Sequence, residues 1–426
     1  MNVFKFEFKK LFTRKLIWFF ISLSIFAIVG IYSLNWILTT NVEKQGLTYY
    51  DQQINWWMQD IQYWATEKEK AMEAKDEALI EEATLMEDDA RSRHQRYSDL
   101  KEAYKNGEWS NIYKGNLEGL EILAYPPPDQ PSGSSFEEQP ISNFTLRASY
   151  EEIRYLLEHN IDSFESKSPD SMFLPTIYDD FSGNTLEKWE ESTKRYSKQG
   201  IYFFYQLIQS FYIPIVILVG CFIFGNTLSL ETTKKRPNLQ FYKTLPINQS
   251  KLFLVKYLTG YLGVFLFLLL MIAIPILVGT IIGGFGDLDY PVLVYDGYTT
   301  EYMEVNAVED TFHFITLQEY LIRAFLFTLF MSLFIYSIYY FLSQFIKEPI
   351  FNVILVGLIV FGVTLIQHPY NPLSYLDMDK VLTNEVQLQL LNTDYTYITG
   401  LIVNIVLSII FIWTNFITFK VKKDKT

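Results

Sequence analysis

Six stretches of this 426-residue chain are long, apolar and nearly free of charged residues. A helix needs about 20 mainly apolar residues to cross the hydrocarbon core of a bilayer. The six stretches therefore predict an all-α membrane protein with six transmembrane helices. The predicted spans are residues 16–38, 200–228, 252–283, 319–346, 350–367 and 398–419. The fifth is the shortest, and five spans plus a re-entrant segment are the alternative.

The spans leave segments of very unequal length between them. These are an N-terminal helix at 1–15, a large domain at 39–199, loops at 229–251, 284–318 and 368–397, and a tail at 420–426. Residues 229–256 carry six Lys/Arg and one Glu, whereas 284–318 carry seven acidic residues and no Lys or Arg. Short loops rich in Lys and Arg stay in the cytoplasm. The charges therefore predict cytoplasmic termini and an extracellular domain at 39–199.

The domain at 39–199 lacks sustained period-two alternation, so we expect it to be mostly helical. Trp57, Ile61 and Trp64 recur at helical spacing, which indicates a face to bury in a domain core or in an interfacial aromatic belt. A helix starting near Thr185 is expected to continue into the second span. The domain carries 32 acidic and 17 basic residues, and the single cysteine, Cys221, lies in a span. We therefore expect no disulfide within the chain.

The first 15 residues combine an apolar stripe with basic residues that fall largely opposite it. The stripe consists of Phe4, Phe8, Leu11 and Phe12. This pattern is typical of a short helix that lies in the headgroup layer of a membrane. The alternative is a positive flank that only orients the first span.

The chain lacks the sequence motifs that mark common catalytic or cofactor sites. It has no G-x-x-x-x-G-K-[ST] phosphate loop, no G-x-G-x-x-G and no H-E-x-x-H, and its four histidines lack the spacing of metal ligands. We therefore predict no catalytic, cofactor or metal site, no enzymatic activity and no nucleic-acid partner.

The predicted spans contain almost no ionisable side chains. Glu319 and Arg323 form the main exception, in the order that favours a helical ion pair. They are a candidate membrane ion pair, or a local pair at the membrane surface. Ion-coupled transporters usually carry such groups at membrane depth. A transporter without them, and without a nucleotide loop, takes its energy from another subunit.

The loop after the second span is the segment that could receive this energy. Residues 228–257 read LSLETTKKRPNLQFYKTLPINQSKLFLVKY. This segment resembles the cytoplasmic loop of ABC-2 type permeases, the membrane subunits of many bacterial ABC exporters. The six spans, the amphipathic N-terminal helix and the cytoplasmic termini match the same family. Asn371 and Pro372, before the last span, resemble an Asn-Pro element that these permeases often carry.

The resemblance implies partners and a docking surface. It implies an ATP-binding cassette ATPase, a second permease chain and a bacterial plasma membrane. The ATPase-docking residues would be Glu231, Lys234, Lys235, Arg236, Tyr242, Lys243, Leu245 and Pro246. The large inserted domain resembles the subset that handles peptides or bacteriocins, or that extrudes ions, and its acidic balance favours a cationic peptide. A membrane-anchored sensor with an extracellular ligand-binding domain is the alternative from another class.

Overall fold

The computed structural model describes residues 3–127, 134–167, 169, 172–226, 248–296 and 312–424, with side chains as far as residue 421. The chain divides into two compact units. The membrane unit consists of Met1–Ser33, Gln199–Leu288 and Val292–Thr426, and the inserted unit consists of Leu34–Lys198 and Asp289–Pro291.

The described residues are mostly helical, as expected. The helices of the first half are α1 (Val3–Phe12), α2 (Lys15–Ala74), α3 (Glu77–Asn106), α4 (Trp109–Ala124), α5 (Asn143–His159), α6 (Gly183–Thr193), α7 (Gly200–Gln209) and α8 (Tyr212–Phe224). Those of the second half are α9 (Gln249–Gly283), α10 (Leu317–Ser343), α11 (Pro349–Val363), α12 (Met378–Leu382), α13 (Glu385–Gln389) and α14 (Tyr397–Asp424). A 3-10 turn covers Pro372–Tyr375, between α11 and α12.

Four of these helices, α2, α9, α10 and α14, are long and apolar enough to cross a membrane. The pair α7 and α8 brings the number to five if it forms one broken span. Helix α11 is apolar but has 15 residues, so it is about 22 Å long, against a hydrocarbon core of about 30 Å. The protein is therefore a multi-pass membrane protein, and the count of six spans stays a prediction.

The second predicted span, residues 200–228, is not one continuous helix over its described part. Helices α7 and α8 meet at an angle of 84°, and Phe211 between them has a φ of 56°. A proline ring clashes with the carbonyl group four residues earlier, which for Pro214 is that of Ser210. Pro214 is acceptable in the first turn of α8, where no helical partner for its nitrogen is needed. The chain therefore breaks at Ser210 rather than bending gently at the proline.

The expected continuous helix from Thr185 into the second span is also wrong. Helix α6 ends at Thr193, and Lys194 takes an extended conformation. Tyr196 then forms an antiparallel backbone bridge with Glu165, with N–O distances of 2.8 and 2.9 Å. Because this bridge needs extended backbone, helix resumes only at Gly200.

The expectation of an all-α protein is wrong in two places. A two-stranded sheet joins β1 (Ser135–Phe136) to β2 (Gln139–Pro140), and a second joins β3 (Pro291–Tyr295) to β4 (Phe312–Thr316). The second sheet lies within the predicted loop 284–318. Valine, isoleucine, phenylalanine and tyrosine fit a pleated strand well, and these residue types form most of β3 and β4. The seven acidic residues of the loop obscure this signal in the sequence.

The inserted unit contains a turn between α2 and α3 and two small apolar clusters. Asp76 caps α3 by accepting a hydrogen bond from the nitrogen of Leu79. Two residues of the predicted helical face, Trp57 and Ile61 of α2, are buried against Ala90 of α3. The larger cluster consists of Ala124, Ile141, Leu146, Phe181 and Trp189.

A buried ionic network connects three segments of the inserted unit. Nη1 and Nη2 of Arg195 each donate to a carboxylate oxygen of Glu152 at 2.6 Å, and Glu152 is 2% exposed. The hydroxyl of Tyr290 donates to Glu152 at 3.1 Å and accepts from Arg195 at 2.7 Å. Such a bidentate pair is among the strongest ionic contacts in proteins. It links Tyr290 to the segments that carry Glu152 and Arg195.

Glu165 of the inserted unit is a carboxyl group with a strongly altered pKa. Burial raises its pKa from 4.5 to about 7, against the hydrogen bond that Tyr104 donates to it at 2.6 Å. The negative charge of Glu43 adds to the rise. Because the folded pKa lies above the unfolded one, folding takes up a proton between these two values. Protonation of Glu165 therefore stabilises the folded state relative to the ionised form. This contribution is fully present below pH 4.5 and is lost as the pH rises through 7.

We therefore expect Glu165→Gln to stabilise the protein at pH 8 and to have little effect at pH 4.5. One pKa unit corresponds to 1.36 kcal/mol, so the difference between the two pH values is expected to be about 3 kcal/mol at most. Thermal unfolding of wild type and variant between pH 4.5 and 8.5 measures it. The matched control is Glu121→Gln, an exposed position of α4. Parallel pH profiles for wild type and Glu165→Gln would contradict the assignment.

Candidate functional site

The predicted docking residues lie outside the described part of the chain. All eight, from Glu231 to Pro246, fall between Asn226 and Asn248. The two helices on either side of this gap are described: α8, which ends at Phe224, and α9, which begins at Gln249. Asn248 caps α9 by accepting a hydrogen bond from the nitrogen of Ser250 at 3.0 Å. The end of α8 and the beginning of α9 are therefore the described helical segments nearest to the loop.

The predicted N-terminal helix exists as α1, and its aromatic residues form a continuous row. The ring centroids of Phe4 and Phe8 are 6.3 Å apart, and those of Phe8 and Phe12 are 4.8 Å apart. These three phenylalanines are half-buried, whereas Leu11 is fully buried. One face of α1 is therefore packed within the membrane unit, and the phenylalanine row lies beside that face.

The packed face of α1 also carries a charge. Glu7, one helical turn before Leu11, is 4% exposed, and its Oε1 lies 3.3 Å from Nζ of Lys256. Lys256 is 1% exposed and lies in the second turn of α9. Two buried charges tolerate each other only when paired, and removal of one partner leaves the other desolvated and unpaired. The ion pair therefore fixes α1 against the beginning of α9.

The same helix α1 also contacts the end of α8. The ring of Phe12 lies 5.7 Å from the ring of Phe224, the last residue of α8. Helix α1 thus contacts both helices that flank residues 227–247, through Phe224 on one side and Lys256 on the other. A force applied to the loop would reach α1, α8 and α9 together.

Behind Lys256, a polar and aromatic interface joins α9 to α10. The hydroxyl groups of Tyr257 and Ser337 are 2.6 Å apart, and the hydroxyl of Tyr336 donates to the carbonyl of Tyr257 at 3.1 Å. The polar contacts extend from α10 to α14, where the side chain of Asn415 donates a hydrogen bond to the carbonyl of Ser337 at 2.9 Å. Buried polar contacts of this kind favour one packing arrangement over a continuous range. A shift of α9 would therefore be passed to α10 and α14.

A second polar cluster lies beside the break between α7 and α8. The hydroxyl of Tyr320 donates to Oδ1 of Asp379 at 2.7 Å, and the side chain of Gln209, the last residue of α7, also bonds to this carboxylate. Burial raises the pKa of Asp379 to about 7, and the negative charges of Asp377 and Glu385 add to the rise. This carboxyl group can therefore hold or release a proton near neutral pH.

The structure brings the other predicted pair together. Arg323 and Glu319 form an ion pair in the first two turns of α10, and both side chains are about one-third to one-half exposed.

Asn371 has a structural role: its side-chain nitrogen donates to the carbonyls of Val363 and Ile366 at the end of α11. Its oxygen accepts from the nitrogen of Leu373 at 3.1 Å. The Asn-Pro element thus caps one helix and starts the following 3-10 turn.

The sequence interpretation missed the Glu7–Lys256 pair and the cluster around Asp379. A signal for the first exists, because Glu7 is the single acidic residue of a basic helix and shares a face with Leu11. Lys256 lies in an apolar run, which for a lysine requires a partner or a long reach to water. Nothing in the sequence joins these two positions, since 249 residues separate them.

The comparison with protein families agrees with this architecture. The family model described as "ABC-2 family transporter protein" matches residues 14–417, nearly the whole chain. Searches of curated proteins and of solved structures found no match to the chain. The match begins after α1 and covers α2, the inserted unit and α14 as far as residue 417. The chain therefore belongs to the ABC-2 family of transporter membrane proteins.

Proposed function

We propose that this protein is the permease subunit of an exporter, powered by a separate ATPase that docks at residues 229–251. Membership of the family makes the chain a multi-pass membrane subunit of an ABC transporter in the plasma membrane, with an ATP-binding cassette partner. The proposal adds the direction of transport, the docking loop and a second permease chain that completes the path. It also places the termini in the cytoplasm and the inserted unit outside.

One observation carries the proposal: α1 contacts both helices that flank the loop. Glu7 pairs with Lys256 on α9, and Phe12 packs on Phe224 of α8. A subunit that pushes on residues 229–251 would therefore move three helices as one body. The 84° break after α7 gives α8 a place to pivot without unfolding. This geometry suits a membrane subunit that receives mechanical work from a partner.

The proposed substrate is a peptide or another antimicrobial molecule. Residues 39–199 carry an excess of acidic residues, 32 against 17 basic ones, which would attract a cationic peptide from solution. The membrane path itself is nearly free of charge, so it would not hold such a peptide tightly. An ion-extruding subunit would need charged groups along the path, and Glu319 and Arg323 are the candidates for that role.

Reversal of charge at Lys234, Lys235 and Arg236 tests the docking loop. We expect the triple glutamate variant to lose the ATPase, because three attractive contacts become repulsive, with a fall in association of about tenfold or more. The measurement is affinity purification from the native membrane, followed by ATP hydrolysis by the co-purified subunit.

The matched control reverses three charges in the predicted cytoplasmic tail, at Lys420, Lys422 and Lys423. It changes the net charge by the same amount on the same predicted side of the membrane, and we expect it to keep the ATPase. Normal ATPase association and transport in the loop variant would refute the docking assignment. Failure of any ATPase to co-purify with wild type would favour the sensor alternative.

A further inference from the structure

A cavity with a volume of about 470 Å³, partly open to solvent, lies in the inserted unit. Its walls come from α2, α3, α4 and the segment around β1. Cavities of about 300–1,000 Å³ are typical of sites that hold small organic molecules. The cavity borders α2 only within the inserted unit, at Tyr50, and the contacts of α1, α8 and α9 described above do not involve it.

Helix α4 forms one wall of the cavity. Gly115, Gly119 and Leu123 follow one another at intervals of four residues and all line it, so one face of the helix borders the space. The distance along the helix from Gly115 to Leu123 is about 12 Å, at 1.5 Å per residue. A Cβ atom added at Gly119 would meet no atom within 4 Å. Gly119 is exposed, so this face of α4 is open to solvent and a ligand lying along it would replace water.

One end of this wall is apolar. Leu123 packs on the cluster around Trp189, together with Phe136 and Phe173, and all three also line the cavity. Aromatic and aliphatic side chains at this end offer a surface for the apolar part of a ligand.

The other end of the wall is basic. Nη2 of Arg96 donates to the carbonyl of Gly115 at 2.5 Å, and no carboxylate pairs with Arg96 among the described residues. Arg93 lies one turn earlier on α3, where it pairs with Asp89 and covers the ring of Trp57 at 4.9 Å. These two arginines are the charged side chains among the described residues that line the cavity. Residues 39–199 carry 32 acidic and 17 basic residues, so the charge of this lining is opposite to the net charge of the domain.

We propose that this cavity binds an amphipathic anion, with its carboxylate or phosphate group at Arg96 and its apolar body along Gly119 towards Leu123. A guanidinium group matches the planar geometry of carboxylate and the oxygens of phosphate, and it keeps its charge at all physiological pH values. A cationic amphiphile would place its charge against both arginines. This site is independent of the direction of transport and of the ATPase, so it goes beyond the proposed function.

The test uses the full-length protein in lipid nanodiscs and three soluble probes with the same chain: octyl phosphate, octanoate and octyltrimethylammonium. We expect one saturable site per chain for the two anions, with the cation bound at least about tenfold more weakly. The relative affinity of octyl phosphate and octanoate tells which head group the site prefers. Isothermal calorimetry measures the binding.

Gly119→Leu is the decisive variant. It places a large side chain at the open face of the cavity, from a helical position where the added Cβ atom meets no other atom within 4 Å. Leucine also favours helix over glycine by roughly 0.8 kcal/mol. We expect it to fold, to keep the ATPase and to lose the saturable site, so its nanodiscs also report the partition of probes into lipid. Glu118→Leu adds the same side chain at the preceding position, which is exposed like Gly119 but does not line the cavity, and should bind as wild type does.

Arg96→Gln separates charge from shape. We expect it to weaken both anions about tenfold and to leave the cation unchanged, whereas Arg96→Lys should restore part of the loss. Equal binding of the cation and the anions, or wild-type binding by a folded Gly119→Leu, would overturn the proposal. Absence of saturable anion binding to wild type would overturn it as well, and ATPase association in the same samples would leave the proposed function standing.

Discussion

Lys256→Met should destabilise the protein by about 3–5 kcal/mol, because it leaves the carboxylate of Glu7 buried without its partner. Both side chains are at most 4% exposed, so water cannot replace the lost ammonium group. Lys10 lies 3.9 Å from the same carboxylate and offers partial compensation, which places the expected loss towards the lower end. The loss of α1 from the loop-flanking helices should also reduce ATP-driven transport. Thermal unfolding in nanodiscs and transport in reconstituted vesicles are the measurements.

The double variant Glu7→Leu with Lys256→Met provides the control. It replaces both charges by apolar side chains of similar size, and such replacements are often neutral or stabilising. We expect stability to recover to within about 1 kcal/mol of wild type, which gives a large coupling energy in the double-mutant cycle. Transport should recover with it if packing alone holds α1 in place. Single and double variants of equal stability would show that the two charges do not interact.

Gly279→Ala should destabilise the membrane unit by about 3 kcal/mol or more, because the site has no room for a methyl group. An added Cβ would lie 2.9 Å from the nitrogen of Gly200 and closer still to its Cα atom. The two glycines let α7 and α9 approach so closely that the nitrogens of Gly200 and Ile201 donate to the carbonyls of Gly284 and Phe285, each at 2.9 Å. Gln199 provides no side-chain cap for α7, so these bonds replace one.

The matched control is Gly357→Ala in α11. It makes the same chemical change in another apolar helix, but a Cβ there would meet no atom within 4 Å. We expect it to fold normally and to gain up to about 1 kcal/mol from the higher helix propensity of alanine. The yield of folded protein and the midpoint of thermal unfolding distinguish the two variants. Equal behaviour of Gly279→Ala and Gly357→Ala would mean that α7 and α9 can separate at no cost.

The sequence predicts those parts of the fold that depend on local length and composition. The helices α2, α9, α10 and α14 follow from apolar blocks long enough to cross a bilayer, and α1 follows from its apolar stripe. Length and composition alone do not predict the break before α8. The ring of Pro214 clashes with the carbonyl group four residues earlier, which places the break at Ser210. The strands β3 and β4 were hidden because acidic residues dominate the loop that contains them.

The candidate sites depend on contacts between distant parts of the chain, and a single sequence does not reveal them. Glu7 and Lys256 are each visible as unusual residues, but only the fold shows that one neutralises the other. The cavity is harder still, because glycine in a helix reads as a weak helix former. Only the packing of α3 against α4 shows that Gly119 leaves an open space beside Arg96.

The ionic network of Glu152, Arg195 and Tyr290 imposes an order on biosynthesis. Ninety residues, Gln199–Leu288, lie between Lys198 and Asp289, and they include α7, α8 and α9. At about 5–20 residues per second, Tyr290 is made roughly 5 to 20 s after the rest of the inserted unit. During that interval Glu152 and Arg195 lack their hydrogen bonds to Tyr290. The inserted unit therefore matures only after the ribosome has completed α9, which ties its folding to the progress of membrane insertion.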